Sequence, residues 1–404
     1  MAKRVILVAA TTGYQTQVFE EAARRLGFDV SLAIDRCLHL EGSWGKHAIP
    51  VRFEEPATAA ATLAKLDPKP DGIVAVGDRP TEIASLAAAA LELPFHPHEA
   101  VQACRNKMLA RERFAAAGLR VPEYFCMPVQ MEPAEAARTV RYPCVVKPLA
   151  LSGSRGVIRA NDEFDFREAV DRIWKLLGTH EEHNQYLLVE TYIPGREFAL
   201  EGIVTNGQLQ TLAIFDKPDP LEGPFFEETI YVTPSREPAT VKAHLIEVTQ
   251  AGVEGLGLTN GPIHAEMRYN DEGAWLLEIA ARPIGGLCAG ALRFEHDISL
   301  EELILRHAVG EDISTIHREV SASGVMMIPI PANGIYNGVK GVGPNTIITA
   351  IPGQRLLKLP EGSSYLGFIF ARAETPDKVE ALLRATHAAL DFDIATELPV
   401  VTHF

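Results

Sequence analysis

The densest chemistry in the sequence lies in one stretch. It reads His264-Ala265-Glu266-Met267-Arg268-Tyr269, then Asn270-Asp271-Glu272-Gly273, then Ala274-Trp275-Leu276-Leu277-Glu278-Ile279-Ala280. Two alternating runs around a Gly-ended turn predict a β-hairpin, with Asp271-Glu272-Gly273 as a three-residue loop and Gly273 left-handed. Asn270 then pairs with Ala274, and counting back along the ladder sets Glu266 opposite Glu278. The strand period of two gathers His264, Glu266, Arg268, Glu278 and Arg282 on one face. Ala265, Met267, Tyr269, Trp275, Leu277 and Ile279 fall on the other, apolar face. Directly opposed carboxylates repel. A hard divalent cation removes that conflict, and Mg²⁺ is typically held by one or two carboxylates together with substrate phosphates. The plainer alternative is a solvated face on which Arg268 neutralises the acids.

Three further groups carry chemistry. Lys147 ends the apolar run Cys144-Val145-Val146, where burial would require an anionic partner. Behind it, Ser152-Gly153-Ser154-Arg155-Gly156 can turn several backbone N–H groups toward phosphate oxygens, because glycine permits close approach and unusual φ. This is not a P-loop, since the Gly-x-x-x-x-Gly-Lys-Ser/Thr pattern is absent; an ordinary surface turn is the plain reading. The connector Glu190-Thr191-Tyr192-Ile193, followed by Glu197, can offer backbone groups to an adenine edge and a carboxylate to ribose hydroxyls; an inter-strand turn is its alternative. Lys107, read alone, is a solvated lysine.

These groups need elements to position them. Over residues 1–100, strands at 5–10, 30–34 and 73–76 alternate with helices, predicting a parallel sheet covered on both faces. The first turn, Thr11-Thr12-Gly13, lacks the dinucleotide fingerprint. Further on, the pattern predicts helices at 164–177, 238–256, 299–309 and 375–390, strands at 144–147, 186–190 and 197–204, and short strands over 324–373. Residues 216–238, rich in Pro, Gly, Phe and Glu, read as a long loop, and such loops are often functional.

The 404 residues suffice for two to four domains. With 53 acidic and 38 basic residues the formal net charge is −15, which disfavours a nucleic-acid partner or an anionic membrane surface. Five scattered cysteines (Cys37, Cys104, Cys126, Cys144 and Cys288) form no Cys-x-x-Cys, so neither a disulfide framework nor a zinc–thiolate site is expected. No apolar run reaches the length of a membrane span. The expected location is the cytoplasm.

Taken in order, these segments resemble the ATP-grasp superfamily. The resemblance rests on Asn106-Lys107, Val145-Val146-Lys147-Pro148, the 152–156 loop, the run from Leu188 through Glu190, Pro194 and Gly195 to Glu197, His264-Ala265-Glu266, and Glu278-Ile279-Ala280-Ala281-Arg282-Pro283-Ile284-Gly285-Gly286. It implies an α/β and α+β architecture in three parts: a Rossmann-like domain over 1–105, a two-lobed ATP-grasp domain over 106–315 and a β-rich cap over 316–404. Within the superfamily the chain looks most like the carboxylate–amine ligases of the L-amino-acid ligase branch. That likeness rests on Phe215-Asp216-Lys217-Pro218, Pro220, Pro224-Phe225-Phe226-Glu227-Glu228 and Thr233-Pro234-Ser235.

The resemblance implies a site. Lys107 and Lys147 contact the α- and β-phosphates of ATP, and Ser152, Gly153, Ser154 and Gly156 close over them. Glu190, Tyr192 and Ile193 read adenine and Glu197 holds ribose. Glu266 and Glu278 bind Mg²⁺, expected as two ions, with Mn²⁺ tolerated. Arg282, with Lys147, serves the transferring phosphoryl group. His264, Arg268, Lys217, Gly285 and Gly286 face the substrates, a small-molecule carboxylate and an amine. One position departs: the superfamily often carries Asn two residues after the second metal glutamate, where this chain has Ala280. The implied activity is ATP-dependent amide formation between amino-acid-like substrates through an acyl phosphate, by an enzyme expected as a homodimer. Carboxylation or formate activation by the same fold, and a non-catalytic ATP-binding regulator, are the alternatives.

Overall fold

The computed structural model describes residues 2–10, 15–35, 48–178, 185–362 and 365–396. Thr11, Thr12, Gly13 and Cys37 lie outside the described residues. Two compact units emerge. The first comprises Met1–Val121, Phe198–Phe215 and Ser235–Val320; the second comprises Pro122–Glu197, Asp216–Pro234 and Ser321–Phe404.

The first unit opens with the expected parallel sheet. Its strands lie in the order Ala48–Pro50, Asp29–Ile34, Arg4–Ala9 and Gly72–Val76, all parallel. The runs Val5–Ala9 and Gly72–Val76 are apolar and buried throughout, as expected of parallel strands covered by helices. Ile6, Val8, Ile73 and Ala75 pack into one core with Ala84 and Ala87 of the helix Asp78–Leu91. Gly77, at φ 98°, turns the chain from the strand Gly72–Val76 directly into that helix. Asp78 is thereby set at the carboxyl edge of the parallel sheet, where α/β folds gather their ligands.

The same unit carries four neighbouring strands in the order Gly273–Ala280, Gly261–Asn270, Arg196–Thr205 and Gln208–Asp216. Helices His98–Arg105, Lys107–Ala116 and Ala239–Leu256 close their apolar side. Val101, Phe114, Val253, Ala265, Met267, Leu276 and Ile279 form the shared core. Asn106 caps the second of these helices, its Oδ1 accepting from the N–H groups of Met108 and Leu109 at 3.0 and 3.3 Å. That cap fixes where Lys107 begins the helix.

In the second unit, strands Tyr124–Pro128, Tyr186–Thr191, Cys144–Pro148 and Ile158–Ala160 form an antiparallel sheet in that order. The helix Glu163–Gly178 covers it through Phe166, Val170 and Ile173. Four further neighbouring strands of this unit run in the order Ile230–Thr233, Ala322–Ile328, Gly367–Ala373 and Thr346–Ile348, with Val379 and Leu383 of the helix Pro376–Ala388 against them. The expected loop at 216–238 therefore contains a strand. Ile230–Thr233 is buried along its whole length and pairs with Ala322–Ile328; its short apolar run is readable as a strand only once that distant partner is known. The strands Tyr124–Pro128 and Asp391–Ala395 were likewise not expected. Among the described residues, no helix is long and apolar enough to cross a membrane.

Candidate active site

The hairpin brings Glu266 opposite Glu278, but by a different route from the expected one. Asn270 pairs with Gly273, so the turn has two residues at its tip, Asp271 and Glu272, rather than three. Tyr269, Arg268 and Met267 then pair with Ala274, Trp275 and Leu276. The next pair is Glu266 with Glu278, which leaves Leu277 as the extra residue of a β-bulge. Moving the extra residue from the turn to the strand changes the faces. Ala274 and Leu276 lie in the core, whereas Trp275 and Leu277, expected there, are only partly buried. Ala265, Met267 and Ile279 take the core positions expected of them.

The charged face is not a solvated one. His264 and Arg268 are buried, and the Glu266 and Glu278 side chains keep 28% and 32% of their surface. Lys107 Nζ lies 3.7 Å from Glu278 Oε2. His264 is held at both ring nitrogens: Nδ1 is 3.1 Å from Glu201 Oε2, and Nε2 is 3.5 Å from Glu266 Oε1. Burial alone would depress the imidazole, but the hydrogen bonds and charges of Glu201 and Glu266 outweigh it and raise it to about 9. Glu201 was not expected in the site. Its carboxylate is wholly buried, which pushes its pKa up, and it accepts the Ile284 N–H at 3.0 Å. The Ile284 carbonyl accepts from Gln15 Nε2 at 2.7 Å. The segment leading to Gly285 and Gly286 is thus pinned on both sides of one peptide residue. Gly286 adopts φ 60°, a value glycine takes without strain.

Arg282 donates from Nε to Asp78 Oδ1 at 2.7 Å and from Nη1 to the Pro283 carbonyl at 3.0 Å. Burial would raise the Asp78 carboxyl; the Arg282 charge and hydrogen bond, helped by Lys107 and Arg105, hold it below its ordinary value. The same pair drives the Arg282 guanidinium upward. A depressed carboxyl contributes stability that is complete above its unfolded value, near 3.8, and is lost as the pH falls through the lower folded value. Asp78→Asn is therefore expected to flatten the acid side of the stability profile. Urea midpoints stepped downward from about pH 5 should converge with those of the unsubstituted protein. Curves that stay parallel would show that Asp78 does not titrate with folding.

In the second unit, Lys147 is buried and paired with Glu190. Gly153, Ser154 and Gly156 all take positive φ, at 65°, 54° and 72°. The loop Ser152-Gly153-Ser154-Arg155-Gly156 is thus the unusual turn its composition suggested, and Gly156 N–H donates to the Pro360 carbonyl at 3.1 Å. The Arg159 guanidinium lies 4.1 Å from the Tyr192 ring centre, and the Phe226 ring is stacked with Tyr192 at 6.5 Å; Ile193 is buried. Lys217 reaches Glu197 at 2.8 Å and also bonds Glu228, with the Tyr231 ring 5.2 Å from its ammonium. Its side chain is 3% exposed. Lys217, expected to face substrate, is therefore placed with Glu197, the residue expected at ribose.

Three residues of these clusters were not among the expected site residues: Asp78, Glu201 and Glu228. Two had a readable signal. Asp78 follows a glycine at a strand end, and Glu201 interrupts the apolar run Phe198-Ala199-Leu200. As metal donors, Glu266 and Glu278 suit a hard cation: both are carboxylates, face each other in register and are half-buried. Ala280 adds no donor.

Residues 140–291 match the family described as ATP-grasp domain. The crystal structure of L-amino acid ligase from Bacillus licheniformis superposes with a TM-score of 0.79 at 23% identity, covering 98% of this chain and 99% of that one. Dapdiamide A synthase of Enterobacter agglomerans is 27% identical over 202 residues, 49% of this chain and 47% of its own. This chain thus spans about half the length of that relative. Formate-dependent phosphoribosylglycinamide formyltransferase of Mycolicibacterium gilvum is 25% identical over 343 residues, 79% of each chain.

Proposed function

We propose, from the premise that this chain carries an ATP-grasp domain, that it is an ADP-forming ligase joining a carboxylate to an amine, with amino acids as the substrate class. The observation that carries the reading is the half-buried pair Glu266 and Glu278, in register and flanked by Lys107 and His264. In the second unit, Lys147 and the 152–156 loop take phosphate oxygens, Glu190, Tyr192 and Ile193 the adenine, and Glu197 the ribose. Lys217 orients Glu197 rather than touching substrate. In the first unit, Lys107 takes phosphate, while Arg268, His264, Gly285 and Gly286 face the substrates. Glu266 and Glu278 would hold Mg²⁺, which when bound neutralises charge on phosphate oxygens.

The chemistry needs no covalent enzyme nucleophile. A substrate carboxylate oxygen attacks the γ-phosphorus, the bond to the β-phosphate oxygen breaks, and ADP leaves an acyl phosphate. The amine nitrogen then attacks the acyl carbon, loses a proton and expels phosphate. Arg282 offers a fork of donors to the oxygens that gain charge in both steps.

Hydroxylamine trapping tests this reading. A hydroxamate formed only with ATP, Mg²⁺ and an amino acid is the expected product, and a pairwise amino-acid screen read by phosphate release and product mass then names the substrates. The likeness to the formyltransferase over 79% of each chain favours one second reading, so formate and bicarbonate belong in the panel. Turnover dependent on either would replace the ligase assignment. No ADP release with any carboxylate would leave nucleotide binding as the function.

A further inference from the structure

We propose that Arg111 is the positioning residue that keeps Glu278 on the charged face of the hairpin, by holding the carbonyl of the bulged residue Leu277. The inference rests on the metal role proposed for Glu278. Its own basis is geometric. Pairing passes from Met267 with Leu276 straight to Glu266 with Glu278. Were the ladder regular through Leu277, that leucine would oppose Glu266. Glu278 would then oppose Ala265, whose side chain lies in the core. The meeting of the two carboxylates is therefore a consequence of the bulge.

A bulge takes backbone groups out of the ladder, and a buried carbonyl left without a partner is costly. Arg111 supplies the donor: its Nη1 lies 2.8 Å from the Leu277 carbonyl oxygen. The Arg111 side chain is among the largest in the chain to be wholly buried, at 0% exposure. Packing alone does not call for a guanidinium there, because an apolar side chain of similar volume would fill the space without the cost of burying a charge. A rigid fork aimed at a backbone oxygen explains it better, and the Phe114 ring, 6.0 Å from the guanidinium carbon, backs it.

The helix Lys107–Ala116 makes this a paired device. Lys107 and Arg111 stand one turn apart, on the same face. Lys107 meets the Glu278 carboxylate while Arg111 meets the backbone of the residue before it. One helix thus addresses both the charge of Glu278 and the local strand geometry that aims it.

The test measures Mn²⁺ binding by the loss of the free-ion electron paramagnetic resonance signal, with ADP present, on protein shown to be folded by circular dichroism. Arg111→Met is expected to weaken Mn²⁺ binding by about 10–100-fold, as loss of a group that orients a ligand typically does. ADP affinity in EDTA should be unchanged, which separates positioning from general damage. Deleting Leu277 in the Arg111→Met background should restore much of the Mn²⁺ affinity. The regular ladder then keeps Glu278 opposite Glu266 and removes the carbonyl that needs a donor. Should Arg111→Met not fold, Arg111→Gln, polar but too short to reach, gives the same reading. Mn²⁺ affinity at the unsubstituted level in either folded variant overturns the proposal. Glu278→Gln run alongside distinguishes the two levels: if it too binds Mn²⁺ normally, the metal assignment has failed, and not only the role of Arg111.

Discussion

Glu278→Gln is expected to lower ATP turnover by at least about a thousandfold while the protein stays folded and still binds ADP. The size follows from the work assigned to a divalent cation on phosphate oxygens, several kcal/mol at about 1.4 kcal/mol per tenfold in rate. Glutamine keeps the shape and removes the charge. Glu278 is a third exposed and lies at the edge of the hairpin core rather than in it, so the fold has little reason to fail. Removing one of two opposed carboxylates also relieves their repulsion, and the melting temperature should hold or rise slightly. Coupled-enzyme detection of ADP release, beside a thermal melt and a fluorescent-ADP titration, reads all three quantities. Turnover within tenfold of the unsubstituted protein would remove Glu278 from the metal site.

Arg282→Met is expected to fail in a different way, losing activity and stability together. Its guanidinium is the partner of Asp78 at 2.7 Å, and the two side chains are 14% and 27% exposed. Stranding the aspartate should cost about 3 kcal/mol, the low end for breaking a buried pair because Asp78 retains contact with solvent. Activity should fall about 10²–10³-fold, the usual effect of removing one donor to a developing oxyanion. The double variant Arg282→Met with Asp78→Asn separates the two roles. It should recover most of the stability, since no lone charge remains, and none of the activity. A double variant that regains turnover would mean that Arg282 acts only through Asp78 and never touches the reacting oxygens.

Much of the architecture was legible because its signals are local. The runs Val5–Ala9 and Gly72–Val76 are unbroken and apolar, and the helices Gln15–Leu26 and Ala239–Leu256 end at glycines. The opposition of Glu266 and Glu278 was legible as well, although the expected three-residue loop and the observed bulge reach it by different counts. The period of two cannot reveal where an extra residue sits, and so Trp275 and Leu277 were placed on the wrong face. What stayed hidden depends on distant partners. Ile230–Thr233 is a strand because Ala322–Ile328 pairs with it. Arg111 reads as an ordinary helix residue until Leu277 arrives opposite it. The contacts of Lys217 with Glu197 and Glu228 likewise lie beyond what the local run shows.

Those lysine contacts bear on how an anion would be received. Lys147 rests on Glu190, and Lys217 on Glu197 and Glu228. The counter-ions of these cations are covalently fixed carboxylates, not mobile chloride. A polyphosphate reaching Lys147 would trade one anion for another and release few ions to bulk solvent. Its affinity would then vary only weakly with salt, unlike that of the bare basic surfaces on which nucleic acids are captured.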